Sequence, residues 1–398
     1  MTDFSDNQSM IDFVDSIIKD AVIKSASDIH IESTQKGARL RFRIDGVLYD
    51  QDPIDDSRKL QVISRIKVLS QINLAEKRIP QDGKFRFSAH NFSQISDIFH
   101  ADIDLRVSTF PSIHGEKVVI RILDRSKTMI KLESLGFGIP MLELFRQLIE
   151  KPSGFLLVTG PTGSGKTTTL YAALSYLNDP EKNIITLEDP VEYNVDGITQ
   201  GQIHPDAGFT FAKGIRSLLR QDPDIAMVGE IRDKETAQTA IEASLTGHQV
   251  FSTLHTNDAP GAIMRLMDMG IEPFLINAAL TGVLAQRLAR KICDNCKVAR
   301  TPTEKEKIIL ERLNIDISEI YSGTGCQECF NLGYKGRVGL FELLDMSPEL
   351  RALIVEHPKF DDIRSQAILD GMKPMLSDGI SKVKDGVISL YELIRIVW

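Results

Sequence analysis

Residues 160–167 read GPTGSGKT, a complete G-x-x-x-x-G-K-[ST] pattern, and the two flanks decide how it is to be read. Upstream, 155–159 (FLLVT) is a short apolar run of β-formers that fits a buried strand. Downstream, 168–177 has the length and apolar spacing of a helix. Strand, glycine loop and helix start are the context in which this pattern forms a phosphate loop. Gly160, Gly163 and Gly165 let the backbone wrap closely around an anion, with successive N–H groups turned inward. The helix that starts near Lys166 adds its positive dipole end. In such a loop Lys166 reaches the β- and γ-phosphates and the Thr167 hydroxyl suits a Mg²⁺ ion, with Pro161, Thr162, Ser164 and Thr168 completing the cradle. The octapeptide implies a nucleoside-triphosphate site.

Working outward, 398 residues allow two or three domains, each with its own core. Apolar content of 42% and charged content of 26% place the chain among ordinary globular proteins. A net charge of −8, from 47 basic and 55 acidic residues, argues against a nucleic-acid motor, whose tracking surface is basic. No apolar stretch approaches the roughly 20 residues of a membrane span. The N-terminus, MTDFSDNQSM, lacks the charged-then-apolar pattern of a signal peptide. The expectation is a cytoplasmic chain that meets a membrane through partners.

Residues 1–125 read as a small α+β domain. Met10, Phe13, Val14, Ile17, Ile18 and Ala21 recur at helical spacing. The runs 28–32 (DIHIE) and 38–44 (ARLRFRI) alternate, Asp45-Gly46 signals a hairpin turn, and 47–49 would return as the partner strand. Leu40, Phe42 and Ile44 share one face of that strand, and Arg39, Arg41 and Arg43 the other, as solvated surface or as an interface. A helix near 60–72 and strands at 84–87, 103–108 and 117–123 complete the unit, with a linker expected at 126–132. From 133 to 289, strands at 155–159, 183–187, 224–228 and 249–253 alternate with helices. That order predicts an α/β parallel sheet covered on both faces. Residues 290–330 hold all four cysteines, as Cys293-x-x-Cys296 and Cys326-x-x-Cys329 with 29 residues between the inner pair. Two such hooks predict a tetrahedral Cys₄ zinc site, with disulfides as the competing reading. Four thiolates leave no open position, so the expected zinc is structural. Residues 331–398 are expected to be a helical region.

Hydrolysis needs a Mg²⁺ tether, a group that orients water and a positive charge for the transition state. Candidates lie at the ends of the predicted strands, where ligands of such sheets bind. In 185–193 (ITLEDPVEY), Glu188, Asp189 and Glu192 crowd into five residues after a strand. In 225–233 (IAMVGEIRD), a strand followed by an acid resembles a Walker B segment, but Gly229 stands where an aspartate is usual, leaving Glu230 to hold the metal through water. In 246–257 (TGHQVFSTLHTN), His248 and His255 bracket a strand, and His255 is placed to sense the γ-phosphate. Arg216 and Arg220 share one face of a helix, available to the acidic loop, a neighbouring subunit or solvent.

Together with SDIHIE (27–32), RFRIDG (41–46), EKRIPQDGKFRF (76–87) and RVSTFPSIHGEKVVIRIL (106–123), these segments resemble the type II secretion and type IV pilus assembly ATPases, the GspE/PulE and PilB group of the additional-strand RecA-like ATPases. The resemblance covers nearly the whole chain. It implies a RecA-like P-loop core with a smaller N-terminal domain and a C-terminal tetracysteine zinc region plus helices. It also implies a homo-hexamer whose ATP cycle works an inner-membrane platform protein that polymerises pilin-like subunits. Carried onto this sequence, it makes Glu192 the water-activating glutamate with Glu188 as second choice, has Glu230 order the metal's water, and puts His255 at the γ-phosphate. Arg106 and Arg121 match phosphate-contacting arginines supplied by the N-terminal domain. The tetracysteine resembles extension-type members rather than retraction motors. Relatives often carry an extra N-terminal docking domain, whereas here the recognisable core begins within about ten residues of Met1. Docking is therefore expected through the arginine-rich face, the zinc region or a cytoplasmic or membrane-anchored adaptor. Two rivals remain: a DNA-uptake or other nucleic-acid motor on the same core, disfavoured by charge and by the absence of an aromatic-plus-basic stripe, and an assembly scaffold that does not hydrolyse, disfavoured by intact Lys166, Glu192 and Glu230.

Overall fold

Two sheets of different construction organise the chain, which divides into units Met1–Thr128 and Met129–Trp398. The computed structural model describes residues 4–87, 103–123 and 130–397.

The first unit contains α1 (Phe4–Ile23), β1 (Ala26–Thr34), β2 (Gly37–Ile44), β3 (Val47–Asp50), β4 (Ile54–Asp55), α2 (Asp56–Leu69), β5 (Gln81–Phe87), β6 (Ile103–Ser112) and β7 (Gly115–Leu123). The strands form an antiparallel sheet of order β3-β2-β1-β7-β6-β5, with β4 on β2. Period-2 alternation buries one face: Ile29, Ile31, Leu40, Phe42, Ile44, Leu105, Val107, Val118 and Ile120, beneath α1 and α2. The other face is a ladder of charge. Arg41 and Lys117 pair with Glu32 at 2.7 and 2.9 Å, Arg121 with Asp28 at 3.1 Å and Arg39 with Asp50 at 2.6 Å. The arginine-rich face of β2 is thus largely neutralised by its own neighbouring strands. One ion pair is buried: Lys67 of α2 donates to Glu116 of β7 at 2.8 Å and to the Glu76 carbonyl at 2.7 Å, tying the 76–80 loop to the core.

The second unit runs α3 (Ile139–Ile149), β8 (Gly154–Thr159), α4 (Lys166–Leu177), β9 (Ile184–Glu188), β10 (Thr199–Gln202), α5 (Phe211–Leu218), β11 (Ile225–Val228), α6 (Lys234–Leu245), β12 (Gln249–Leu254), α7 (Ala259–Asp268), α8 (Pro273–Ala279) and β13 (Leu280–Ile292). It continues through β14 (Lys297–Arg300), α9 (Glu304–Arg312), β15 (Ile320–Gly323), β16 (Tyr334–Asp345), α10 (Pro348–Val355), α11 (Phe360–Leu369), α12 (Met375–Lys384) and α13 (Leu390–Val397). The main sheet has order β10-β9-β11-β12-β8-β13-β16, parallel except for the antiparallel β13–β16 pair. Strands β8, β9, β11 and β12 are buried at every position, as strands of a parallel sheet covered on both faces are. Alternate side chains feed two cores. Leu156 and Val158 pack with Leu170, Tyr171 and Leu174 of α4, while Phe155 and Leu157 pack with α6 and α7 through Ala237, Ile241, Ile263 and Leu266.

Three sequence-based boundaries differ from the structure. The division expected between 289 and 290 falls inside the 13-residue β13, and the region expected to be helical, 331–398, opens with the 12-residue β16. Both strands are masked by charge. Arg290 is buried in β13 because Glu392 of α13 accepts from its Nη2 at 2.8 Å and the Tyr334 ring lies 4.1 Å away. Of the expected linker, 126–129 lies outside the described residues, while Leu132 is buried in a short 3₁₀ turn of the second unit.

Candidate nucleotide site and metal centre

Strand register brings the expected segments to one edge. Thr159 of β8 lies opposite Leu254 of β12, and Val228 of β11 lies opposite Ser252 of β12 and Leu187 of β9. The phosphate loop, the acidic loop, Glu230 and His255 therefore leave the sheet side by side, at the carboxyl ends of its parallel strands.

Gly160, Gly163 and Gly165 have φ of 149°, 77° and 89°, all on the side of the map that favours glycine. A Cβ on Gly160 would lie 2.3 Å from the Gln286 carbonyl oxygen and 2.6 Å from Ser164 Oγ, so the loop also needs glycine for close approach. Lys166 opens α4 and folds back over the loop, donating to the carbonyls of Gly160 (2.9 Å) and Pro161 (3.2 Å). Burial pushes its pKa down, and the carboxylate of Glu230 works in the opposite direction. Pro161, Thr162, Gly163 and Thr167 are exposed, Ser164 is buried and Thr168 is half-buried. Thr159 Oγ1 accepts the N–H of Thr256 at 2.9 Å and lies 2.7 Å from Thr256 Oγ1, fastening the loop's entry to the segment that carries His255.

Glu230 has two nitrogen-bearing neighbours: Arg232 pairs with it, and His255 Nε2 lies 3.4 Å from its Oε2. The backbone is close-packed where the aspartate is missing. Gly229 donates its N–H to the Leu187 carbonyl at 2.8 Å, and a Cβ there would sit 3.1 Å from that same oxygen. The two acidic-loop glutamates have different surroundings. Glu188 is 3% exposed and fully engaged, by the Tyr171 phenol, by Thr186 Oγ1 at 2.6 Å and by Gln200 Nε2 at 3.2 Å. Burial and this contact push the Tyr171 pKa far above its usual value, keeping the phenol a donor. Glu192 is exposed, beyond the cis Asp189-Pro190 bond.

Other sequence candidates have structural partners. His248 Nδ1 lies 2.9 Å from the Ala243 carbonyl at the end of α6, and Arg216 pairs with Glu235 at 2.8 Å. Arg220 donates to the Arg216 carbonyl at 2.8 Å. In the first unit, Arg106 and Arg121 are cross-strand partners on the charged face of β6 and β7. They line a recess of about 660 Å³ with Asp82, Lys84, Ser108 and Val119. Tyr171, Thr186, Gln200, Arg232 and Gln286 were not anticipated as site residues. Of these, Arg232 carried a usable signal, since it follows Glu230 by two positions.

The four cysteines are free and their sulfurs converge within 4.8 Å of one another. Separations of 3.8 Å for Cys293–Cys326, 3.8 Å for Cys296–Cys329 and 3.7 Å for Cys326–Cys329 match the edge of about 3.8 Å of a tetrahedron with metal–sulfur bonds of about 2.3 Å. Cys329 Sγ also accepts N–H bonds from Cys326 (3.3 Å) and Gly333 (3.2 Å). Burial opposes ionisation of Cys329, but those N–H groups outweigh it and bring the thiol down to about 7. The donor set fits a closed tetrahedral thiolate centre.

A family model described as type II/IV secretion system protein matches residues 3–395. The chain is 46% identical over 394 residues to the type II secretion system ATPase E of Vibrio cholerae, covering 98% of this chain and 76% of that one. It is 45% identical over 384 residues to the type IV pilus assembly ATPase PilB of Thermus thermophilus, covering 96% of this chain and 42% of the relative. Among solved structures, the pilus retraction motor PilT with bound ADP superposes with a TM-score of 0.61 at 26% identity, covering 96% of each chain. The Legionella pneumophila ATPase DotB gives a TM-score of 0.68 at 22% identity over 97% of this chain and 95% of that one, a likeness of fold. A parallel sheet with a phosphate loop at its strand ends, a four-cysteine centre and a match along nearly the whole length lead to one assignment: the chain belongs to the type II/IV secretion system protein family.

Proposed function

We propose that this chain is an ATP hydrolase that drives assembly of pilin-like subunits, for type II secretion or for type IV pilus biogenesis. The observation that carries this reading is the convergence of Lys166, Glu230 and His255 beside a glycine-shaped loop at the start of α4. Family membership and the names of the relatives support the same reading.

In this account the loop N–H groups and the α4 dipole hold the phosphates of ATP, and Lys166 exchanges its carbonyl partners for phosphate oxygens. Thr167 would hold Mg²⁺ directly and Glu230 through water; bound there, the ion neutralises charge on the β- and γ-phosphates. Glu192, exposed on the acidic loop, orients the attacking water. Glu188, both of whose oxygens are engaged, braces β9 against α4 instead. His255 reports on the γ-phosphate through its contact with Glu230. Arg106 and Arg121 supply positive charge to the transition state from the N-terminal unit. The four cysteines hold a structural Zn²⁺ that staples two distant segments.

The protein acts as a homo-hexamer in the cytoplasm, peripheral to the inner membrane through a platform protein and an adaptor. No helix among the described residues is long and apolar enough to cross a membrane. Phosphate release by the purified chain with Mg-ATP tests the reading. Turnover that Glu192→Gln lowers about 10²-fold is the expected result, and turnover absent in the wild type would overturn it.

A further inference from the structure

The sheet continues past β8 into β13, and one side chain of β13 reaches under the phosphate loop. Gln286, 1% exposed, donates its Nε2 to the Ser164 carbonyl at 2.7 Å. A Cβ on Gly165 would lie 3.2 Å from that same nitrogen, so the carboxamide lies directly against the loop. Among the described residues, Gln286 Oε1 and Ser164 Oγ are both buried without a hydrogen-bond partner. Unpaired buried polar atoms destabilise the fold, and an apolar side chain of similar shape would avoid that cost. Packing alone therefore does not account for glutamine here.

The bond acts on a single peptide plane. In a trans peptide the C=O and N–H point in opposite directions, so drawing the Ser164 oxygen toward β13 turns the Gly165 N–H away from β13. Gly165, at φ 89°, has no Cβ to resist inversion of that plane. Without the carboxamide the peptide is free to turn over, presenting a carbonyl oxygen where an N–H had been.

We propose that Gln286 is a positioning residue that locks the Ser164–Gly165 peptide with its N–H directed at the nucleotide phosphate. The inference rests on the nucleotide-binding reading of the loop given above. It separates the loop's glycines, which permit the phosphate-binding shape, from a residue 122 positions away that selects it.

The test is the affinity of the intact chain for a fluorescent ATP analogue with Mg²⁺, read at about pH 6 and about pH 8 and normalised to wild type at each pH. Gln286→Met and Gln286→Asn remove the donor or shorten its reach, and both are expected to weaken binding about tenfold or more at either pH. Gln286→Glu is expected to lose about tenfold or more at pH 8, where the carboxylate repels the Ser164 oxygen and attracts the Gly165 N–H. At pH 6 the protonated acid, its pKa raised by burial, again donates to Ser164, and affinity returns to within about threefold of wild type. Wild-type affinity in the Met and Asn variants, or a Glu deficit equal at both pH values, overturns the proposal. Should the Met variant fail to fold, the Glu variant carries the test, because a single protein is compared with itself; should the Glu variant fail at pH 8, the Asn variant decides. A wild type that binds no analogue would instead overturn the reading of the loop, and the inference with it.

Discussion

The two large sheets of this chain handle burial in opposite ways, and the contrast decides where charged side chains can stand. In the parallel sheet of the second unit, β8, β9, β11 and β12 are buried on both faces, so polar chemistry is confined to the strand ends. Lys166, Glu192, Glu230 and His255 all follow such ends. The antiparallel sheet of the first unit buries one face and leaves the other to solvent, so charged groups stand mid-strand, as Arg106, Arg121 and Lys84 do. A sheet covered twice leaves charged side chains to its loops; a sheet covered once can carry them along its open face.

The largest effect that would break this comparison lies at the strand ends. Lys166→Ala should lower ATP turnover about 10³-fold while leaving the melting temperature nearly unchanged, because it removes a charge aimed at the transition state and little packing. A turnover loss below about tenfold, measured by phosphate release, would move the chemistry elsewhere.

The acidic loop sharpens the contrast within one motif. Glu192→Gln should lower kcat about 10²-fold with nucleotide affinity retained. Glu188→Gln should instead lower the melting temperature, since it disturbs a buried network with Tyr171, Thr186 and Gln200. Steady-state kinetics alongside thermal melts would expose a reversed pattern.

Away from either site, the cysteine centre should matter for stability. Cys293→Ser or prolonged chelation should release one Zn²⁺ per chain and lower the melting temperature of the second unit by about 10 °C. Metal analysis that found no zinc in the purified chain would contradict the assignment.

A further effect, on stability alone, concerns β13, next to the sheet edge, where α13 clamps it. The Glu392 carboxyl sits at about 2: burial opposes its ionisation, but Arg395 and Arg290 outweigh it. A folded value below the unfolded one means the stabilisation is complete above about pH 4.5 and lost as the pH falls toward 2. Wild type should therefore lose on the order of 3 kcal/mol across that window relative to Glu392→Gln, and parallel acid-unfolding curves for the two proteins would refute it.

How much of this was legible follows from where each contact comes in the chain. The strand-end segments were readable because strand, turn and functional residue are contiguous, and β8, β9, β11 and β12 were readable as short β-forming runs alternating with helices. Strand β13 was not, because Arg287, Arg290 and Lys291 hide it, and the partner that lets Arg290 be buried lies 102 residues downstream. Glu188 and Glu192 look alike in sequence; what separates them is a phenol on the preceding helix, which reads locally as a core residue of α4. Arg106 and Arg121 emerged through resemblance alone, since alternate positions on two strands form no compact motif, and the structure adds that they are cross-strand neighbours.

The central claim is that strand-end groups bind and activate ATP while arginines on the other sheet serve the transition state. The most direct measurement is kcat against nucleotide affinity for Arg106→Gln in the intact chain. The account predicts that kcat falls at least about tenfold while affinity stays within about threefold of wild type. Equal losses in both, or unchanged turnover, would contradict it.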